Sequence, residues 1–278
     1  MSAMFNPQDQ RILECLRKTK TNHPHLEELF QLYEQLFILQ FTFKAGLRGR
    51  GEGFCPEGKE IDAVGLWEGI PQVTFDELGL GDGPALELYK SLEALLTRSA
   101  VPLPPGDIEP TPARIRGKAR EIFAGRGPLL AEASLQDDRV KLISGFVLAP
   151  YLQLACEWIM PHIQQQDSWH RGYCPVCGGV PAFAAMHDDS SPRTLLCSRC
   201  NGEWSFRRFG CPFCLERDQQ TYYPGEEGSY RLYVCGSCRR YIKSIDTRGS
   251  AEKHCLPVEV LATVSMDIAA RNKGFLPW

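Results

Sequence analysis

The chain has 278 residues, 43% hydrophobic and 23% charged, enough to bury a sizeable core in two or three domains. Its formal net charge of −3 argues against a whole-protein electrostatic role on DNA or at a membrane surface. The opening Met1-Ser-Ala-Met-Phe-Asn has no basic n-region and no apolar h-region, so a secretory signal is not expected.

Residues 1–168 are poor in cysteine and read as a helical domain. Leu29, Leu32, Leu36, Leu39 and Phe43 recur at helical spacing, and Phe30, Tyr33, Phe37 and Phe41 widen that stripe. Gly46, Gly49, Gly51 and Gly53 are expected to end this helix in a loop. The segment from Glu57 to Glu93 is acidic, and Pro84 suits the first turn of a helix carrying Leu86, Tyr89, Leu92 and Leu96. Thr111-Pro112 reads as an N-cap followed by a first-turn proline, opening a helix made basic by Arg114, Arg116, Lys118 and Arg120. Asp137 or Asp138 can cap the next helix, whose stripe is Val140, Ile143, Val147, Tyr151, Leu154 and Trp158. Pro150 is expected to kink or restart it, and Pro161 to perturb its end. Its apolar core, Leu142 to Met160, contains Pro150, Gln153 and Glu157 and reads as a buried helix rather than a membrane span.

The composition changes near Trp169. Short β-like runs follow at Val180–Ala185, Thr194–Leu196, Glu203–Phe209, Gln220–Tyr223, Tyr230–Val234 and Tyr241–Ile245. Between them lie four Cys-x-x-Cys pairs: Cys174/Cys177, Cys197/Cys200, Cys211/Cys214 and Cys235/Cys238. A two-residue spacer lets both thiolates of a pair turn toward one point, so four pairs make two complete four-cysteine sites. Cys-Pro-Val-Cys-Gly at 174–178 is answered by Cys-Pro-Phe-Cys-Leu at 211–215, each followed by a spacer of 19 or 20 residues and a second pair. This internal repeat favours two consecutive ribbons over a cross-brace of first with third and second with fourth. The expected domains are thus a helical domain at 1–168, ribbons at 169–209 and 210–250, and a helical segment at 251–278, from about Val258 to Arg271. Small ribbons bury little apolar area, so metal binding is expected to supply much of their folding free energy.

Four thiolates suit zinc and mononuclear iron alike, and a closed site leaves no open position for hydrolytic chemistry. No P-loop, dinucleotide fingerprint or Gly-x-Ser-x-Gly is present, so an enzyme is not expected. Cys15 and Cys156 lie in apolar helical patterns and read as packed thiols. Cys55 is loop-borne but lacks a basic neighbour, and His162 and His170 have no ligand-deficient metal to serve. Arg207, Arg208, Arg239 and Arg240 follow the second knuckle of each ribbon. They read as a solvated face or as a contact patch for an acidic partner or nucleic acid.

The run Cys-x-x-Cys-x-x-x-Trp-x-x-x-Arg-x-x-Cys-Pro-x-Cys from Cys197 to Cys214 is long and specific. With Tyr173-Cys-Pro-Val-Cys-Gly-Gly-Val-Pro, Tyr233-Val-Cys-Gly-Ser-Cys and the closing Leu256–Ala270 segment, it closely resembles the formate dehydrogenase accessory protein family, FdhE. The resemblance implies a cytoplasmic assembly factor or chaperone. Its partner would be the molybdenum- or tungsten-containing catalytic subunit of formate dehydrogenase, bound while immature. It also implies rubredoxin-like iron in both sites, with zinc as the alternative. Nucleic acid is not expected as a partner, and a homodimer is left open. A nucleic-acid-binding zinc ribbon and a rubredoxin-like electron carrier are the rival readings.

Overall fold

A computed structural model describes residues 5–99, 101–104, 109–129, 138–164, 169–225, 228–248 and 254–277. The chain divides into two compact units, one of residues 1–61 and 73–159, the other of 62–72 and 160–278.

The first unit is helical. It contains α1 (Pro7–Asn22), α2 (Glu27–Arg50), α4 (Asp82–Arg98), α5 (Pro112–Gly125) and most of α6 (Arg139–Gln164). α1 packs on α2, and α4 on both α2 and α5. Phe30, Phe41, Leu16, Leu47 and Tyr89 are fully buried among them. α2 runs through Gly46 and Gly49 rather than stopping there. It ends at Gly51, which takes the left-handed conformation (φ 66°) and returns its N–H to Arg48 and Leu47.

α6 also departs from expectation, because it continues through Pro150. Pro150 has no N–H, so the Phe146 carbonyl four residues back loses its helical donor. The buried Gln40 side chain on α2 replaces it, with Nε2 2.9 Å from Phe146 O. Asp138 caps this helix through Lys141 N, 3.1 Å away, while Asp137 lies outside the described residues. Thr111 sits at the N-cap of α5 but makes no side-chain capping bond. The basic face of α5 meets the acidic segment, Arg116 pairing with Asp82 and Arg120 with Asp76.

A buried ion cluster ties α1, α2 and α6. Lys44 Nζ lies 2.7 Å from Asp9 Oδ1 and also pairs with Glu157. Asn6 caps α1 by accepting from Asp9 N and donates to Glu157. Burial pushes the Asp9 carboxyl up, opposed by the charge and hydrogen bond of Lys44. α6 is long and apolar enough to cross a membrane, but 78% of that window is buried inside the protein, as in a core helix.

The second unit centres on one six-stranded sheet, ordered β3-β2-β1-β6-β5-β4. Its strands are β1 (Pro181–Met186), β2 (Arg193–Cys197), β3 (Glu203–Phe206), β4 (Gln220–Pro224), β5 (Tyr230–Cys235) and β6 (Tyr241–Asp246). Each four-cysteine repeat contributes three antiparallel strands. The halves join where β1 runs parallel to β6, with Phe183 opposite Lys243 and Ala185 opposite Ile245.

The C-terminal segment forms two short helices, α7 (Leu256–Ala262) and α8 (Val264–Asn272), with a break at Thr263. Tyr241, Lys243 and Ile245 share one face of β6, and these helices cover it. Leu256 packs with Phe183 and Ile245, and Ala270 and Phe275 pack with Tyr241. Ile268 is 58% exposed. The break at Thr263 has a partner. Lys243 Nζ, buried mid-face, donates to Val260 O at 2.8 Å and Thr263 O at 3.4 Å, and pairs with Asp267 at 2.6 Å. Tyr241 donates to the other Asp267 oxygen at 2.8 Å.

Gln40→Leu should lower stability by about 1–3 kcal/mol, because it orphans the part-buried Phe146 carbonyl. In a Pro150→Ala background the restored helical N–H should remove most of that cost. A denaturant double-mutant cycle checks this, and equal costs in both backgrounds would exclude it.

Candidate metal centres

Each cysteine pair opens a knuckle with the same backbone closure. The N–H of the first cysteine donates to the carbonyl five residues on: Cys174 to Gly179, Cys197 to Gly202, Cys211 to Glu216 and Cys235 to Arg240, at 2.7–2.9 Å. The fourth residue after that cysteine is left-handed in all four: Gly178 (φ 70°), Asn201 (57°), Leu215 (66°) and Arg239 (57°). A turn this tight brings both thiols of a pair to its concave side. Only Gly178 and Asn201 are residues that tolerate the conformation readily. Leu215 and Arg239 adopt it at a cost of about 1–2 kcal/mol each.

The sheet then brings the knuckles together two by two. Cys174 and Cys200 have sulfurs 3.6 Å apart, Cys177 and Cys197 3.5 Å, and Cys177 and Cys200 3.8 Å. In the second group Cys211 and Cys238 are 3.6 Å apart, as are Cys214 and Cys235. Within each quartet all sulfurs lie within 4.8 Å of one another. First pairs with second and third with fourth, a tandem arrangement rather than a cross-brace.

These dimensions fit a metal. A tetrahedron with metal–sulfur bonds of about 2.3 Å has sulfur–sulfur edges of about 3.8 Å. All eight donors are soft, as zinc and iron–sulfur chemistry requires. Burial pushes Cys174 up, whereas hydrogen bonds from Cys174, Cys197 and Cys200, with the charge of Arg199, hold Cys177 well down. Burial likewise raises Cys211 and Cys238. Four thiolates at this spacing repel one another, most strongly in the fully buried first quartet, unless a cation lies among them.

Two contacts lock the quartets to each other. Gly172, just before the first knuckle, lies against the third: a Cβ there would sit 1.8 Å from Pro212 O. Arg193 on β2 is 1% exposed, stacks over Phe206 at 5.2 Å and donates to Gly210 O beside Cys211. Burial pulls its pKa down to about 10, so it stays cationic at neutral pH beside the second quartet. Sequence reasoning did not single out Arg193, because nothing local distinguishes it from a surface arginine.

The arginines expected at a partner face have intramolecular contacts. Arg207 donates to Leu215 O, closing the third knuckle, and Arg208 to Asp188 O. Arg239 stacks on Phe275 at 4.2 Å, and Arg240 lies 5.7 Å from the Phe213 ring centre. Arg208 also lines an open cavity of about 500 Å³ with Arg217, Arg231 and Arg248. Cys156 and Cys255 are buried, Cys15 is half-buried and Cys55 exposed. His162 and His170 are exposed, and neither belongs to a quartet.

Gly172→Ala should unfold the ribbon region or sharply weaken it, since Pro212 backbone cannot give way, and loss of cooperative melting would report this. Leu215→Gly should instead raise stability by up to about 1 kcal/mol, by relieving the left-handed backbone at an exposed position. A lowered midpoint for Leu215→Gly would refute the strained-knuckle description.

No family model matches the chain. Among curated proteins it is 31% identical over 153 residues to the FdhE homolog of Aquifex aeolicus, covering 52% of each. It is 28% identical over 159 residues to that of Serratia proteamaculans, covering 53% of this chain and 50% of that protein. The matched region thus spans about half the length of these curated relatives. The crystal structure of the FdhE protein from Pseudomonas aeruginosa superposes with a TM-score of 0.66 at 21% identity, covering 98% of this chain and 94% of that one. The chain therefore resembles FdhE proteins in sequence over about half its length and has the FdhE fold over nearly all of it.

Proposed function

We propose that this protein is an FdhE-type accessory factor, which binds the immature catalytic subunit of a molybdenum- or tungsten-dependent formate dehydrogenase. The observation that carries the reading is the pair of preformed four-cysteine sites within the FdhE fold. Cys174, Cys177, Cys197 and Cys200 are proposed to ligate one metal, and Cys211, Cys214, Cys235 and Cys238 the other. Iron is favoured, by resemblance to the family, over zinc. The role is non-catalytic: each quartet uses its four sulfurs on the metal and offers no open coordination position. The ribbons at 169–209 and 210–250 would act as one body, since they share a sheet. Acting on a client before its export, the protein would work in the cytoplasm.

Arg207, Arg208, Arg239 and Arg240 are assigned to the face offered to the client. Their aromatic and backbone contacts pre-orient the guanidiniums and reduce the ordering cost of binding. The same contacts weigh against a nucleic-acid role, which calls for a dense, free basic stripe.

Affinity-tagged protein co-expressed anaerobically with the catalytic subunit should retain it through purification. Charge reversal at Arg208 and Arg240 should reduce that recovery without changing metal content. A client that never co-purifies under reducing conditions would remove the reading.

A further inference from the structure

The two quartets differ in burial. Cys174, Cys177, Cys197 and Cys200 are each at most 3% exposed. In the second quartet Cys211 and Cys235 are 1% exposed, but Cys214 is exposed and Cys238 half-buried.

A specific segment accounts for the cover over the first. Residues 62–72, which carry the short helix α3 (Ala63–Glu68), leave the helical part of the sequence to fold over the first knuckle. Gln72 N donates to Pro175 O at 2.9 Å, inside the Cys174–Cys177 turn. Tyr173 donates its hydroxyl to Gly69 O at 2.8 Å, and Arg171 reaches the Trp67 carbonyl. Gln72 is itself held by Asp62, which it meets at both ends of its amide. At the second quartet the described residues place no counterpart over Cys214. Its neighbour Leu215 is 48% exposed and Phe209, just before the knuckle, 68%.

We propose that the two sites divide the labour: the first is a permanent fold-holding centre, and the second is a ligand-exchange centre at which a partner's cysteine thiol replaces Cys214. This rests on reading the quartets as metal sites. In the exchange the incoming sulfur bonds to the metal as the Cys214 Sγ bond breaks. The incoming thiol's proton passes to Cys214, and no electrons change hands. Thiolate attack of this kind depends on access as much as on nucleophilicity, and Cys214 is the most exposed of the eight quartet cysteines. Leu215, exposed and adjacent to Cys214 in the chain, favours a thiol carried on a protein segment over a small free thiol.

Cobalt-loaded protein provides the test, because its thiolate absorption reports each site without reference to any client. Treatment with N-ethylmaleimide, followed by peptide mass spectrometry, should label Cys214 at least about tenfold faster than any cysteine of the first quartet. About half of the cobalt absorption should go with that labelling. Cys214→Ala should still bind two cobalt ions with one altered spectrum, and added thiol should restore it. A cysteine peptide with leucine neighbours should do so at lower concentration than 2-mercaptoethanol. Uniform labelling of both quartets, or no restoration by any thiol, would overturn the exchange proposal. Restoration by both thiols at equal concentration would overturn the protein-borne source. Wild-type protein that binds no cobalt through thiolate would instead overturn the metal reading beneath it.

Discussion

Four thiols held within 4.8 Å of one another are the constraint on which the second unit depends. Ionised, they repel, and protonated, they waste a buried polar cluster. A bound cation resolves both problems. In the surrounding sheet β4 is largely exposed, whereas β1, β2 and β6 are mostly buried. Structural zinc in comparable small modules contributes about 10–16 kcal/mol of binding free energy at neutral pH. A contribution of that size readily offsets the three left-handed non-glycine residues of the knuckles, Asn201, Leu215 and Arg239.

The quartets are not independent beads. The parallel β1–β6 pairing, the Gly172–Pro212 approach and the buried Arg193–Gly210 bond run between the halves. Loss of one metal should therefore be felt at the other through shared backbone. The C-terminal helices add a second brace, with Lys243 satisfying the frayed carbonyls at Thr263 while Asp267 balances its charge. Coupling of this kind suits a factor that must present a firm surface while one of its centres is open to solvent.

Much of this was legible in the residues. The four pairs, their internal repeat and the alternating runs located all six strands, with β3 ending at Phe206 rather than Phe209 because Arg207 already turns into the third knuckle. Local rules failed where a distant side chain overrode them. Pro150 should break a helix, but Gln40 supplies the missing bond. Gly46 and Gly49 weaken a helix without ending it, whereas Gly51 and Gly53 take positive φ. The fusion of two ribbons into one sheet rests on a parallel pairing across some 60 residues of sequence, which no short-range pattern encodes. The cover supplied by residues 62–72 is equally non-local: in sequence it is only part of the acidic segment from Glu57 to Glu93, and its role depends on Gln72 meeting Pro175.

The claim everything else rests on is that each quartet holds one metal through four thiolates. Native mass spectrometry of anaerobically purified protein, paired with its absorption spectrum, tests this most directly. Two metal ions per chain with sulfur-to-metal charge-transfer bands, or two zinc ions in a colourless protein, should be found. A folded chain carrying no metal, with the eight cysteines as free thiols or disulfides, would contradict it.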